Sequence, residues 1–278
     1  MLTKEVLSKD YISIDKNETV SRLIGCLIIK NQRAAVVFDN KKYFGITTKR
    51  LLLKTKFDPA KLKVAKVTAK APALTGEEDI SEAARLLYTS DSPILPIIAK
   101  KGVIGIVRNI DLINQLKNTK LKNKKIKELM SLKPITVKEN DRTGKAIEIM
   151  REKKVSRLPI VDNKGELFSI TSVTDILQQY HLRQQGKSER GSRDASNNFF
   201  KQGKGFAGTR TDLHAYPIKN LTSPITITGK ESDSVSNVIN KMNEFNISSL
   251  VIIKDKKPVG IVTVRDLLKL FMKEKITF

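Results

Sequence analysis

The stretch that decides the fold is SLVIIKDKKPVGIVTVRDLLKLF, at residues 249–271. Two short apolar runs lie on either side of a Lys-rich turn, which predicts a β-hairpin or a short crossover, and the second run leads directly into an amphipathic helix. The same order of elements occurs three more times, as AAVVFDNKKYFGITTKRLLLK at 34–54, ILPIIAKKGVIGIVRNIDLINQL at 94–116 and RLPIVDNKGELFSITSVTDILQQY at 157–180. Four copies of one unit indicate a repeat protein.

The copies are not evenly spaced. Their equivalent positions fall at Leu51, Asp111, Asp175 and Asp266, which gives steps of 60, 64 and 91 residues. The last step contains about 30 additional residues, from about 181 to 217. We therefore expect one insertion between the third and fourth copies.

Composition places the chain among folded, strongly basic proteins. It has 278 residues, 40% of them hydrophobic, and 52 Lys+Arg against 29 Asp+Glu give a net charge of +23. Such a surplus favours a polyanionic partner. The lone Cys26 excludes an internal disulfide. Neither a membrane-spanning run nor a secretion signal is evident, so we expect a cytoplasmic protein.

The unit resembles the CBS domain. The resemblance depends on Leu-Pro-Ile-Val-Asp at 158–162 and Gly-Ile-Val-Thr-Val-Arg-Asp at 260–266. It implies an α/β fold in which four CBS repeats form two pseudo-two-fold CBS pairs packed as a flat disc. A related arrangement occurs in stand-alone archaeal four-CBS proteins and in the nucleotide-sensing gamma subunit of AMP-activated protein kinase.

The expected division of the chain follows from that resemblance. Residues 1–127 would be a first, strongly basic CBS pair, and residues 128–278 a second pair that carries the basic insertion 181–217 rich in Gly and aromatic residues. The four repeats would span about 1–56, 64–117, 126–180 and 218–273.

The resemblance also implies an adenine nucleotide, AMP, ADP or ATP, as a regulatory ligand in the clefts between paired repeats. In such clefts an Asp accepts hydrogen bonds from the ribose hydroxyls, and a Ser or Thr three residues earlier meets a phosphate oxygen. The fourth copy has Thr263 and Asp266, and the third has Ser172 and Asp175, so these two copies are the best candidates. No metal ion is expected.

The first two copies match this pattern less well. The second keeps Asp111 but has Arg108 at the hydroxyl position, which makes it half a site. The first has Thr48 but Leu51 in place of the Asp, so we expect that cleft to be empty or repurposed.

Two further residues match ligand-contacting positions of the family. Arg157, before Leu-Pro, would grip a phosphate, and Thr222 would contact the base. The competing interpretation is that each helix-start Asp only caps its helix, and that Arg157 is a surface charge.

Positive charge is concentrated in the first half of the chain. Residues 41–70 hold ten basic residues and one acid, and residues 117–127 hold six lysines. We predict that this surface binds RNA through phosphate contacts. The predicted contacts here are Lys41, Lys42, Lys49, Arg50, Lys54, Lys56, Lys61, Lys63, Lys66, Lys122, Lys124 and Lys125. A lysine-rich proteome or adaptation to high salt is the alternative explanation.

The insertion interleaves basic and aromatic residues, a pattern that suits phosphate contacts and stacking on unpaired bases. Its predicted RNA contacts are Arg183, Arg190, Arg193, Phe199, Phe200, Lys201, Lys204, Phe206 and Arg210. A lid packed on its own pair is the alternative. The Gly-x-Gly-x-x-Gly at 203–208 lacks the strand and helix that would make it a dinucleotide motif.

A nucleophile with its base, a metal cluster and a phosphate loop are all missing from the sequence, so we predict a non-enzymatic protein. The leading hypothesis is an adenine-nucleotide-sensing, RNA-binding factor associated with idle ribosomes, with homodimerisation through the faces of the CBS pairs. The alternatives are a nucleotide-responsive regulatory subunit of a kinase, transporter or enzyme, and a simple reservoir of nucleotide or S-adenosylmethionine.

Overall fold

The computed structural model describes residues 1–53, 59–189, 216–223 and 226–273. Within these ranges the chain forms four copies of a unit built from an opening strand, a helix, a β-hairpin and a closing helix. The predicted α/β repeat fold is confirmed.

The strands are short, as expected for a hairpin repeat. They are β1 (Ile12–Asp15), β2 (Ala34–Asp39), β3 (Lys42–Thr48), β4 (Ile94–Ala99), β5 (Gly102–Arg108), β6 (Ser131–Leu132), β7 (Val137–Lys138), β8 (Arg157–Val161), β9 (Leu167–Ser172), β10 (Thr228–Gly229), β11 (Ser249–Lys254) and β12 (Lys257–Thr263).

The helices alternate with these strands. They are α1 (Val20–Ile29), α2 (Lys49–Leu52), α3 (Ile80–Ser90), α4 (Asn109–Gln115), α5 (Thr143–Glu152), α6 (Val173–Glu189), α7 (Val235–Glu244) and α8 (Val264–Lys273). None of the helices in the described ranges combines the length and apolar character of a membrane span.

Each repeat has the same strand pairing. The opening strand lies parallel to the first hairpin strand, as β1 does to β2, and the hairpin strands are antiparallel. In the second repeat a single parallel bridge between Leu74 and Ile97 replaces the opening strand. The hairpins of the first and fourth repeats turn on two residues with positive φ, Asn40 with Lys41 and Asp255 with Lys256. Left-handed backbone at both turn residues matches the right-handed twist of the strands.

Strand contacts join repeats within each half of the chain. Ile46 of β3 bridges Ala69, Ile106 of β5 bridges Ser8, and β6 adds to β12. Glycine makes the close approach possible at Gly45, where a Cβ would lie 2.6 Å from the Ala69 carbonyl oxygen. Each such contact brings the segment before one repeat onto the sheet of the neighbouring repeat.

Helix contacts instead join repeats across the two halves. One core combines α1 of the first repeat with α6 of the third, and a second core combines α3 and α4 with α8. The side chains of Leu23, Leu27 and Leu177 are completely buried in the first of these cores. The division at residues 127 and 128 therefore stays a prediction, since the two large cores extend across it.

Helix α6 extends beyond the expected end of the third repeat. It continues to Glu189, so the first nine residues of the predicted insertion, 181–189, are helical. His181 lies against α1, where its Cε1 atom is 3.2 Å from the place that a Cβ on Gly25 would occupy. The start of the insertion is thus part of the folded repeat array.

Candidate functional site

A cavity of about 860 Å³ lies where the four repeats meet. Its wall contains the ends of the hairpins and the beginnings of α2, α6 and α8. Two of the predicted pairs, Ser172 with Asp175 and Thr263 with Asp266, line this same cavity. The sequence predicted separate clefts, and the structure brings both pairs into one space.

Asp175 lies in the first turn of α6. Its Oδ2 accepts hydrogen bonds from the backbone N and the Oγ of Ser172, both at 2.7 Å, and from the Oγ of Ser223 at 3.0 Å. Within the described part of the chain, its Oδ1 accepts no hydrogen bond. One carboxylate oxygen therefore holds the helix start, and the other is available to a ligand.

Asp266 has the same relation to α8. Its Oδ2 accepts from the backbone N of Thr263 at 3.0 Å and from the Thr263 Oγ1 at 2.8 Å, while its Oδ1 accepts from the Lys269 Nζ at 2.9 Å. Asp266 is buried, and Lys269 is partly exposed. Both Asp residues thus cap their helices, as the competing interpretation expected, and capping occupies only Oδ2.

Three cations from the first and third repeats line the same cavity as Asp175. Lys49, at the start of α2, is only 6% exposed, and its Nζ lies 3.4 Å from the Thr174 Oγ1. Arg33 and Arg157 also line the cavity. These side chains bring three positive charges from the first and third repeats into one wall.

Burial and mutual repulsion weaken the charged forms of these groups. Burial, together with the repulsion of Arg33 and Arg157 and against the attraction of Asp175, lowers the pKa of Lys49 to about 8. Burial and the neighbouring Arg157 lower the pKa of Arg33 to about 10. Burial also lowers the pKa of Arg157, against the attraction of Asp175. Uncompensated buried positive charge of this kind is what an anion would neutralise.

Two polar links connect the repeats around the cavity. The Nη1 atom of Arg157 donates to the Ser249 carbonyl at 3.0 Å and to its Oγ at 3.2 Å. Asp91, at the end of α3, forms ion pairs with Arg50 of the first repeat and Arg265 of the fourth, the latter at 2.8 Å. The cavity wall is thus tied together across all four repeats.

The structure corrects the assignment of Lys49 and Arg50 to an RNA-binding surface. Lys49 is buried, and Arg50 pairs with Asp91 and donates to the Lys154 carbonyl at 3.1 Å. Both line the cavity. The first repeat, expected to be empty or repurposed because of Leu51, therefore contributes positive charge to a shared site.

Two other predicted nucleotide-binding residues, Asp111 and Thr222, lie outside the wall of this cavity, and their roles stay predictions. Arg108 donates from Nε and Nη2 to the two carboxylate oxygens of Asp111, at 2.7 and 2.8 Å, so that carboxylate is already engaged. Neither residue is part of the cavity wall. Thr222 is likewise absent from the wall, which contains the next residue, Ser223.

The remaining predicted RNA contacts fall into three groups. Six are exposed: Lys41, Lys42, Lys61, Lys63, Lys66 and Lys122. Lys125 is exposed as well and donates to the Ser232 carbonyl at 3.2 Å, whereas Lys124 is half-buried. The others lie outside the residues whose side chains the structure describes: Lys54, Lys56, Arg183, Arg190, Arg193, Phe199, Phe200, Lys201, Lys204, Phe206 and Arg210.

Comparison with known proteins agrees with the repeat architecture. The CBS domain family model matches residues 126–181 and 218–273. The crystal structure of protein MJ1225 from Methanocaldococcus jannaschii superposes with a TM-score of 0.80 at 19% identity, covering 98% of this chain and 100% of that one. A Pyrococcus horikoshii protein gives a TM-score of 0.62 at 20% identity, with the same coverage. At these identities the likeness shows the fold.

Relatives in sequence include two uncharacterized proteins. MJ1404 of M. jannaschii is 25% identical over 272 residues, which are 96% of this chain and 61% of MJ1404. A Thermofilum pendens relative, named an uncharacterized 33.4 kDa protein in the ribosomal RNA operon, is 25% identical over 71% of this chain and 60% of its own length. This chain thus spans about three fifths of these two relatives. Residues 126–181 and 218–273 are thus two CBS domains, and the first half of the chain contains the same βαββα repeat.

Proposed function

We propose that this chain is a non-enzymatic regulatory protein that binds an adenine nucleotide in the cavity between its four repeats. The observation that carries the proposal is the presence, in one cavity, of two Ser/Thr–Asp pairs and a group of buried cations. Sugar hydroxyls and phosphates are the ligand groups that these residue types recognise together.

The ribose would bind at the carboxylates. Asp175 offers its Oδ1 to two hydroxyl donors while its Oδ2 remains bonded to Ser172 and Ser223. Asp266 would exchange its bond to Lys269 for a bond to the sugar. The rigid start of each helix keeps the acceptor in place before the ligand arrives.

The phosphates would bind at the cations. Lys49, Arg33 and Arg157 line the cavity, where removal from water strengthens their attraction for an anion. Arginine offers paired N–H donors to phosphate oxygens, and a buried lysine supplies a point charge. The first half of the chain therefore contributes charge, and the second half contributes the sugar acceptors.

Substitution of the carboxylates tests this assignment. Asp175→Ala and Asp266→Ala should each weaken the binding of AMP, ADP or ATP by about 10- to 100-fold, because each removes a charged acceptor from the sugar hydroxyls. Asp111→Ala should change the affinity less than about twofold, because Asp111 is bound to Arg108 away from the cavity. Calorimetry on the full chain measures all three effects.

Controls are needed because each Asp also caps a helix. Asp175→Asn and Asp266→Asn retain the side-chain shape, and the melting temperatures of all variants report any loss of the cap, expected at about 0.5–2 kcal/mol. Equal and small effects at the three positions would contradict nucleotide binding here and leave capping as their role.

A second function, RNA binding, is favoured by one observation. Four exposed lysines of the first half, Lys41, Lys42, Lys61 and Lys63, form no ion pair within the described residues. Free lysines bind phosphates by releasing counterions. We extend the proposal to ribosomal RNA, the most abundant polyanion of a cytoplasm, and to a role on idle ribosomes.

Charge reversal tests the RNA proposal. Replacing Lys41, Lys42, Lys61 and Lys63 with Glu should lower the affinity for RNA by at least about tenfold and flatten its salt dependence. The matched control reverses four exposed lysines of the second half, Lys138, Lys164, Lys254 and Lys256. Protein purified at low salt should also carry RNA that a high-salt wash removes.

These measurements distinguish an RNA partner from a protein partner. Absence of the protein from ribosomal fractions at low salt, with and without AMP or ATP, would contradict the ribosome. Purified protein free of nucleic acid, together with a protein partner that survives the charge reversal, would favour a regulatory subunit instead.

A further inference from the structure

Each of the four sheets binds a short segment that precedes another repeat, and one of these junctions differs from the others. The edges of β3, β5, β12 and β9 receive Ala69, Ser8, Ser131 and Ser223, respectively. In the first junction Ile46 and Ala69 exchange two backbone hydrogen bonds of 2.9 Å, and β5 exchanges an equivalent pair with its segment. Within the described residues Ser223 makes a single such bond with β9, from its N–H to the Ile170 carbonyl at 2.8 Å. The junction of β9 with residues 221–223, here called the third junction, thus has half the backbone bonds of the first.

A serine keeps the third junction from closing as tightly as the others. The edge strands β3, β5 and β12 have Gly45, Gly105 and Gly260 where the bound segment crosses them. A Cβ at any of these three positions would lie within 2.7 Å of an atom of the segment, which is closer than real Cβ atoms approach their neighbours. The corresponding residue of β9 is Ser169, whose hydroxyl lies 3.3 Å from that of Thr226. The segment therefore cannot approach β9 as closely as the other segments approach their strands.

A buried hydroxyl group at the third junction lacks the partner that the first junction supplies. In the first junction the Thr47 Oγ1 donates to the Val67 carbonyl at 2.8 Å. The equivalent Thr171 Oγ1 is fully buried, and no hydrogen-bond partner for it is found in the described part of the chain. Leu221 occupies the place of Val67, but it does not accept this bond. A buried hydroxyl without a partner costs stability, so the third junction is held less firmly than the first.

The weak attachment is confined to a few residues. Just before the junction, the N–H and the hydroxyl of Thr143 both donate to the Tyr216 carbonyl, at 2.8 and 2.9 Å. The side chain of Leu221 is buried in the core that contains α1 and α6. Beyond Leu221, the side chain of Ser223 holds the segment by donating its hydroxyl to the Asp175 Oδ2 at 3.0 Å. Movement at the third junction would therefore begin after Leu221 and would break the bond between Ser223 and Asp175.

We propose that the third junction opens locally in the folded protein and that this opening releases Asp175 from Ser223. Local opening begins where backbone hydrogen bonds are fewest and buried contacts are poorest, and the third junction has both properties. In the open form the Asp175 carboxylate keeps its bonds to Ser172 and gains a free lone pair. The junction is thus a conformational switch in the wall of the cavity. This inference concerns the fold and stands whether or not a nucleotide binds.

Amide hydrogen exchange of the unliganded full chain, resolved by residue with NMR, measures the opening. The Ala69 and Ser8 amides occupy the equivalent positions of the first and second junctions and serve as internal controls. After correction for intrinsic rates, the Ser223 amide should exchange at least about 100-fold faster than these two. Equal protection of the three amides would overturn the proposal.

Variants identify the cause of the opening. Thr171→Val introduces the residue type that β5 and β12 have at this position, and it should slow exchange at Ser223 by at least about fivefold, because no buried hydroxyl is left unpaired. Adding Ser169→Gly should slow it further by letting the segment approach. The matched control, Thr47→Val, removes a paired hydroxyl and should speed exchange at Ala69 instead.

The hydroxyl of Ser223 tests the connection to Asp175. Ser223→Ala should speed exchange of the amide at position 223 by about fivefold or more, because the bond to a charged acceptor is lost. Thermal unfolding of each variant checks that the fold is retained, and Thr171→Val alone decides the case if the double variant does not fold. Unchanged exchange at residue 223 in Thr171→Val would contradict a junction weakened by the buried hydroxyl, and unchanged exchange in Ser223→Ala would exclude Asp175 from the switch.

Discussion

Residues 128–278, produced without residues 1–127, should not form a stable monomer. The reason is that the two large cores are shared between the halves of the chain: α6 packs on α1, and α8 packs on α3 and α4. Removing the first half would expose apolar faces of both helices, including Ile176 and Leu177 on α6 and Phe271 on α8.

The expected loss is comparable to the stability of a whole domain. Burying one large apolar side chain contributes about 1.5–3 kcal/mol, so exposing five of them costs about 8–15 kcal/mol. Ordinary domains are stable by about 5–15 kcal/mol. Polar contacts are lost as well, such as that between the Ser21 Oγ and the Tyr180 hydroxyl at 2.8 Å. The isolated half should therefore aggregate or pair its exposed helices with those of a second copy.

Light scattering coupled to gel filtration measures this result. Coexpression of residues 1–127 with residues 128–278 is the matched control, and it should give a one-to-one complex with the melting behaviour of the intact chain. A monomeric second half with an unchanged melting temperature would contradict the shared core and support two independent pairs.

The repeat fold could be predicted because each copy contains its own local signals. Alternating apolar strands, turns and helical spacing are encoded within about 25 residues, and four copies agree with one another. The packing of α1 on α6 could not be predicted this way, because contacts between distant helices depend on how copies are arranged in space. The helical start of the insertion was missed because its polar residues resemble those of a loop.

The candidate site also has a part that the sequence predicts and a part that only the structure reveals. The Ser172–Asp175 and Thr263–Asp266 pairs are local patterns, and the structure places both in the cavity. Asp111 matched half of the pattern, but only the structure shows that Arg108 engages both of its oxygens. Local sequence identifies a carboxylate at a helix start and cannot tell whether a neighbouring side chain already occupies it.

Lys49 was wrongly assigned to the RNA-binding surface because every residue of the basic run was assumed to be exposed. A signal was present in the repeat alignment, in which Lys49 corresponds to Val173 and Val264. Those valines are 3% and 2% exposed, so the position is buried in the third and fourth copies. Lysine is rarely buried, so a lysine at a buried position of a repeat indicates a functional charge more strongly than an exposed lysine does.

Lys49→Met should stabilise the unliganded protein and weaken its binding of nucleotides that carry phosphate. Lys49 in the folded chain has its pKa lowered from 10.5 to about 8, mainly by burial, so folding at neutral pH must bury an unfavourable charge. The penalty at pH 7 is up to about 3 kcal/mol, which methionine, of similar length and without charge, should recover. The lost attraction for phosphate should lower ATP affinity by about 10- to 100-fold.

The pH dependence of the unfolding free energy tests the sign of the Lys49 effect on stability without any ligand present. Because the pKa of Lys49 is lower in the folded chain than in the unfolded one, the unfolded chain binds more protons between about pH 8 and 10.5. The stability of the unliganded wild type should therefore rise relative to Lys49→Met as the pH increases from 8 to 9.5, and ATP affinity should fall over the same interval as the ammonium loses its proton. Urea unfolding and ATP titration at each pH measure the two trends.

An exposed lysine of the same repeat provides the control for Lys49→Met. Lys42→Met removes a lysine that is exposed on the hairpin of the same repeat, and it should change neither the stability at pH 7 nor the affinity for ATP. If Lys49→Met instead destabilised the unliganded chain, or left ATP affinity unchanged, Lys49 would be a structural contact of Thr174 and the anion would have to bind elsewhere. The opposite signs of the two effects, on stability and on affinity, are what distinguish a residue kept for its ligand from one kept for the fold.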